Sequence, residues 1–279
     1  MRLLDRVVFI TGASRGIGRA VALACAREGA HVVIAAKTDT PENPKLPGTI
    51  HTVAEEVRAL GREALPIKLD VRDADACGAA IQQAIAKFGR VDALVNNAGA
   101  LYWADVAETP VKRFDLMMGI NVRASFVLAQ AVLPHMISRK FGHVVMMSPA
   151  VDMAAVAGHG AYSVSKFGMT MIAEAIAEEC FEHNVTAHAL WPATAIESFA
   201  TINFGLGGPE VWRTAEILAD ATVALLAKEP KARKGRAWID EDLLREEGVT
   251  DFAKYQCAPG HEPPRIPFSA LPRTTSTVK

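Results

Sequence analysis

Within the first twenty residues, a strand runs straight into a glycine-rich turn and then a helix, and this constrains the chain more than any other feature. Val7-Val8-Phe9-Ile10 is a short β-branched run of the kind that forms a buried parallel strand. It leads directly into Thr11-Gly12-Ala13-Ser14-Arg15-Gly16-Ile17-Gly18. Gly12, Gly16 and Gly18 suit a tight turn, close approach of the backbone to a pyrophosphate, and close helix packing. The helix that follows would turn its unpaired N–H groups and positive dipole end toward the phosphates. A glycine triplet alone is an ordinary turn. Placed strand–loop–helix, with Ser14, Arg15 and Ile17 between its glycines, it reads as a dinucleotide site.

The rest of the chain repeats the same alternation. Further strands are predicted at His31–Ile34, Glu63–Leu69, Val91–Val95, His143–Met147, Thr186–Leu190 and Ala237–Ile239. Amphipathic helical stretches fall at roughly 15–29, 50–61, 73–88, 109–139, 162–183 and 212–228. That order predicts an α/β fold: a single Rossmann-like, doubly wound parallel sheet with helices on both faces, spanning residues 1–258. Three segments break the rhythm. Thr38–Gly48 is a Pro-rich loop, Ala193–Pro209 is apolar with loose glycines as in a mobile flap, and 259–279 is a Pro-rich tail read as an extended arm or disordered end.

Composition excludes several classes. Thirty Lys and Arg against 31 Asp and Glu give a net charge of −1 with no basic run, so nucleic acid is not an expected partner. No apolar stretch reads as long and uninterrupted enough to cross a bilayer. The four cysteines lie far apart, and the eight histidines fall in no metal-binding pattern. With no signal peptide ahead of the first strand, these point to a cytoplasmic protein with reduced thiols and no metal.

Which dinucleotide is expected follows from the end of the second strand, Ala35-Ala36-Lys37-Thr38. A site for NAD usually carries a carboxylate there to accept the ribose hydroxyls. Here Lys37 stands instead, and Arg15 can swing to the same place. Two cations and no carboxylate suit a 2′-phosphate, so NADP(H) is the expected cofactor. Asp70, followed by Val71 at the end of the third strand, can accept from the adenine amino group. Asn97, Ala98 and Gly99, after Asn96, let the backbone pass the ribose.

In their order and spacing, TGASRGIG, Asp70-Val71, NNAG, Asn121 and Tyr162-Ser163-Val164-Ser165-Lys166 resemble the short-chain dehydrogenase/reductases over about residues 5–240. The stretches AAKTDTPENPKLPGTI, ETPVKRFDLMM, ALWPATAIES and WIDEDLLREEGV are similar to one branch of that family. The human member of that branch carries a sterol-carrier-like domain after the reductase, which is not expected here.

Tyr162 and Lys166 are four apart at the start of a helix and share a face. A phenol of ordinary pKa near ~10 is a poor base at neutral pH. A neighbouring ammonium and a positive nicotinamide ring would move it toward working pH, so Tyr162 can exchange a proton with substrate while hydride passes to or from the nicotinamide. Lys166 would also bond the nicotinamide ribose. By resemblance, Asn121 would hold a water in a proton relay to Lys166. The family usually places a serine thirteen residues before the tyrosine; that position here is Pro149, which has no donor, and the nearest hydroxyl is Ser148. Ser148 reaches the substrate only if the loop twists. In the family's Pro-Gly turn, Ala193 replaces the glycine within Trp191-Pro192-Ala193-Thr194. Pro192, Thr194 (to the diphosphate) and the backbone near Ile196 (to the carboxamide) carry over as cofactor contacts.

The expected pocket wall is apolar: Leu101, Tyr102, Trp103, Met153, Phe199, Ile202, Phe204 and Leu206, with Arg213 able to reach in from the next helix. This favours a lipophilic alcohol or carbonyl. Pairing through the helices at 109–139 and 162–183 would give a homodimer or homotetramer, as the resemblance implies, and the tail could clasp a neighbour. Two other readings stand beside a working oxidoreductase. One is a catalytically impaired NADP-binding sensor or interaction protein, favoured only by Pro149; the other is a dehydratase or isomerase using the same cofactor.

Overall fold

A computed structural model of the protein describes residues 1–41, 47–149 and 156–265. The chain alternates through β1 (Val7–Thr11), α1 (Gly16–Arg27), β2 (His31–Ala36), α2 (Ile50–Ala59), β3 (Ala64–Lys68), α3 (Ala74–Phe88) and β4 (Ala93–Asn96). A helical run of α4 (Val111–Met117), a π-helical turn (Met118–Arg123) and α5 (Ala124–Arg139) precedes β5 (Gly142–Met147), α6 (Gly160–Glu179) and β6 (Val185–Trp191). The last third holds β7 (Ala195–Ile196), α7 (Phe199–Asn203), β8 (Trp212–Arg213), α8 (Glu216–Leu226), β9 (Ala237–Ile239) and α9 (Asp240–Glu246).

Seven strands form one parallel sheet in the order β3-β2-β1-β4-β5-β6-β9, the doubly wound architecture expected from the alternation. Successive residues of a strand face opposite sides, and both sides are apolar here because helices cover both. Val8 and Ile10 belong to the core under α1, α2 and α8; Val7 and Phe9 belong to the core under α3, α5 and α6. The chain leaves β3 and returns on the other side of β1 as β4. The reversal opens a crevice at the carboxyl ends of β1 and β4, where such sheets bind ligands.

Two expectations need correction. The run 111–139 is, by length and composition, long and apolar enough to cross a bilayer. In place it is buried along one face, at Met117, Asn121, Leu128, Val132 and Met136, while Val111, Phe114 and Phe126 are exposed. The second is the segment 193–209, which carries the short elements β7 and α7 where no regular structure was expected. A reciprocal capping box between Ser198 and Thr201 starts α7, and the Trp212 indole donates to the Leu206 carbonyl at 2.7 Å. Residues 259–265 of the tail lie on their own chain, where Glu262 meets Arg213 at 2.5 Å. Met153 and residues 266–279 lie outside the described residues.

Candidate active site

The cleft at the switch point is shaped by backbone. Gly12 has φ +64°, and a Cβ there would stand 2.9 Å from the Ala98 Cα; a Cβ at Gly18 would stand 2.4 Å from the Gly12 carbonyl oxygen. The turn therefore closes on β4 only with glycine at both places. Thr11 and Asn97 stitch it down. The Thr11 hydroxyl accepts from the N–H groups of Asn97 and Ala98, both at 3.0 Å, and the Asn97 amide donates to the Thr11 carbonyl at 2.9 Å. Sequence reasoning passed over Thr11, because a strand-end threonine carries no pattern of its own.

A cavity of about 350 Å³ runs from this turn along the ends of β2 and β3, lined among others by Gly12, Ser14, Arg15, Lys37, Asp70, Val71, Ala98 and Gly99. Arg15 and Lys37 thus share one cavity, and Arg15 also donates to the Gly48 carbonyl at 3.0 Å. The nearest carboxylate after Lys37 is Asp39, which pairs with His51 at 2.7 Å and Lys68 at 3.6 Å and does not line the cavity. Asp70 is partly committed. It grips the Arg72 guanidinium at 2.5 Å, and that pairing holds its carboxyl down at about 2. Arg72, also on the cavity wall, was missed by sequence reasoning.

A second cavity of about 230 Å³ adjoins the helix of Tyr162. It is lined among others by Ile17, Leu101, Trp103, Pro149, Tyr162, Pro192, Thr194, Ile196 and Leu206. Of the expected apolar wall, Leu101, Trp103 and Leu206 are there. Tyr102 instead sits under the Arg113 guanidinium at 5.3 Å, Phe199 and Ile202 line a neighbouring cleft, and Phe204 lines neither. Arg213 does not reach in. It is fully buried on β8, held by Glu241 at 2.7 Å, Glu262 and the Phe252 carbonyl at 3.1 Å.

Lys166 follows Tyr162 by one helical turn, with its Nζ 5.8 Å from the phenol ring centre, and donates to the Met147 carbonyl at 2.9 Å. Burial moves both groups. It pushes the Lys166 ammonium down to about 8 and the Tyr162 phenol above its ordinary value. The phenol shift runs opposite to the lowering expected from a neighbouring ammonium, because desolvation of the phenolate outweighs a cation held on another acceptor. Asn121 is fully buried in the π-helical turn, a distortion common at functional sites. Its amide accepts from Ala100 N–H at 2.8 Å and donates to the Ala100 carbonyl at 3.0 Å and the Ser165 hydroxyl at 2.9 Å. It thereby ties the loop after β4 to the helix that carries Tyr162 and Lys166.

Ser148 is where expectation and geometry part. Its side chain faces Thr170 (3.1 Å) and the Trp191 indole (3.2 Å), and Pro149 rather than Ser148 lines the cavity. Adjacent strand-end residues point to opposite sides, and of this pair Pro149 takes the cavity side.

Residues 6–201 match the family model for short chain dehydrogenase. The chain is 45% identical over 265 residues to hydroxysteroid dehydrogenase-like protein 2 of Danio rerio, an alignment covering 93% of this chain and 63% of the relative. The chain therefore spans under two thirds of that relative's length. A short chain dehydrogenase from Mycobacterium thermoresistibile superposes with a TM-score of 0.86 at 39% identity, covering 95% of each chain. A metagenomic short-chain oxidoreductase in complex with NADP gives 0.71 at 30%, covering 86% of this chain and 97% of that one. Carveol dehydrogenase from Mycobacterium avium in complex with NAD gives 0.76 at 25%, covering 87% and 99%.

Proposed function

The chain belongs to the short-chain dehydrogenase family, and from that premise we propose that it is an NADP(H)-dependent oxidoreductase interconverting a lipophilic alcohol and its carbonyl. The observation that carries this reading is the adjacency of two cavities, one walled by glycines and cations, the other apolar and bordered by Tyr162. The first fits a dinucleotide by its own shape: side chains at Gly12 and Gly18 would fill the turn, and Arg15 and Lys37 offer cations to a 2′-phosphate, while Asp70, the carboxylate on the described wall, is paired with Arg72. Ser14, Gly16, Ile17, Asn97, Ala98, Gly99, Pro192, Thr194 and Ile196 would hold the rest. Among solved relatives, one is described with NADP and another with NAD; what supports NADP here is the pair of cations, Arg15 and Lys37, on one cavity wall.

When bound, the nicotinamide supplies or accepts the hydride. Tyr162 exchanges the proton at the substrate oxygen. Lys166, one turn along, favours the phenolate while it carries its charge, and although burial lowers it to about 8 it stays largely protonated at neutral pH. Asn121 keeps the helix of Tyr162 and Lys166 in register with the loop after β4. The apolar wall around Leu101, Trp103 and Leu206 excludes water and selects a lipophilic substrate. Exposed Phe126, Phe167 and Met171 on α5 and α6 support assembly as a homodimer or homotetramer, and free buried Cys25, Cys77 and Cys180 accord with a cytoplasmic setting.

One observation favours a second reading, an NADP-binding sensor with weakened chemistry: Pro149 offers no donor where a substrate carbonyl would lie. The test is NADPH oxidation, followed by cofactor fluorescence, across a panel of lipophilic aldehydes and ketones. Turnover supports the enzyme. Tight NADPH binding with no turnover on any member supports the sensor.

A further inference from the structure

A buried carboxylate on the far side of the sheet edge touches the turn that borders the substrate cavity. β9 runs without a break into α9, and the first residue of that helix, Asp240, is fully buried. Its Oδ1 accepts the Ala193 N–H at 2.8 Å and the Glu241 N–H at 2.7 Å. Its Oδ2 is buried with no hydrogen-bond partner among the described residues. Ala193 lies between Pro192 and Thr194, both of which line the cavity beside Tyr162. The other end of the same loop is held by the neighbouring acid. Glu241 binds Arg213 at 2.7 Å, and Arg213 sits on β8, which pairs with β7 at Ala195–Ile196. Two adjacent carboxylates thus grip the two ends of one short segment from behind.

We propose that Asp240 is a positioning residue that sets the Pro192–Thr194 turn against the nicotinamide end of the cofactor, and that its ionisation tunes how firmly the cofactor is held. This rests on the cofactor reading above. A carboxylate is a stronger acceptor than a neutral carbonyl, so the charged form holds the Ala193 N–H more tightly. Burial raises the Asp240 carboxyl to about 7 despite the two N–H donors. The charged and titratable groups facing it are Glu241 on its own helix, which raises it, Arg213 on β8, which lowers it, and Tyr255 in the turn at 253–255. The unpartnered Oδ2 is where the proton goes. As pH falls through about 7, Asp240 becomes neutral, the turn is held less firmly, and cofactor affinity declines.

The test is NADPH binding to the full chain, by fluorescence titration from pH 6 to 8.5, for the native protein and Asp240→Asn. Asparagine keeps the acceptor and cannot ionise. Titration of the cofactor's own phosphate is common to both proteins and cancels in the ratio of their dissociation constants. That ratio is expected to be near one at pH 6 and to rise to about fivefold at pH 8.5, as a shift of under one pKa unit on binding would give. A ratio that stays flat across the range overturns the proposal. Should the variant fail to fold, the native protein decides with NADH, which lacks the 2′-phosphate: affinity must weaken as pH falls through about 7, and a flat profile overturns the assignment. If the native protein binds neither NADPH nor NADH at any pH, it is the cofactor reading that fails, and the proposal with it.

Discussion

Lys37 is exposed at the end of β2 on the same cavity wall as Arg15, while Asp39 two residues on is tied to His51 and Lys68. If the 2′-phosphate lies there, Lys37→Ala weakens NADPH about tenfold, ~1.4 kcal/mol, and leaves NADH nearly unchanged. Paired titrations check this, and an equal loss for both cofactors would remove Lys37 from the phosphate site. Ser148 carries the opposite expectation. Its hydroxyl is shared with Thr170 and Trp191, so Ser148→Ala costs about 1 kcal/mol of stability and less than tenfold in turnover. A loss of two or more decades, the usual cost of a missing oxyanion donor, would return Ser148 to the chemistry. At this scale the sequence was most readable where spacing alone decides, as for Tyr162 and Lys166. It was least readable where direction decides, because one residue's rotation at a strand end separates Pro149 from Ser148. Asp240 was invisible for a different reason: its partner Ala193 lies 47 residues away, and no local pattern links them.

Between elements, the tightest joint is the turn from β1 to α1. A methyl group at Gly18 would meet the Gly12 carbonyl at 2.4 Å, which is backbone and cannot step aside. Gly18→Ala should therefore displace α1, lower the melting temperature and abolish NADPH binding. Gly78→Ala on α3, where an added Cβ meets nothing within 4 Å, should be neutral or stabilising by up to about 1 kcal/mol. Comparing the two by thermal melts and cofactor titration checks the argument, and equal behaviour would contradict it. All seven strands of the sheet and its long helices were legible, since buried runs and helical periodicity extend over enough residues to register. The two-residue strands β7 and β8 and the five-residue α7 were not, being too short to display a period. The Ser198–Thr201 capping box and the Trp212–Leu206 bond hold them, and neither leaves a periodic signal in the sequence.

The molecule as a whole carries a pH-dependent cost inside its sheet. His143 and His188, at the core of β5 and β6, lie with ring centres 6.5 Å apart, and burial pushes each down to about 3. The folded state keeps them neutral while the unfolded chain protonates them below about 6.5, so the stability they allow is full above that value and is lost as pH falls toward 3. At pH 5 this amounts to about 2 kcal/mol for each histidine. Asp240 acts in the other sense, since its raised carboxyl penalises the folded state as pH climbs from about 4 to 7. Two histidines outweigh one aspartate, so the melting temperature should fall between pH 6.5 and 4.5, and His143→Phe should flatten that limb. An unchanged slope would move the acid sensitivity elsewhere. The central claim is that this sheet holds a nicotinamide cofactor so that Tyr162 can exchange a proton with a lipophilic substrate, and one paired measurement tests it most directly: NADPH affinity and carbonyl reduction in the native protein and in Tyr162→Phe. The account predicts turnover reduced by at least about a hundredfold with NADPH affinity within about twofold of native. Turnover retained in Tyr162→Phe would contradict it.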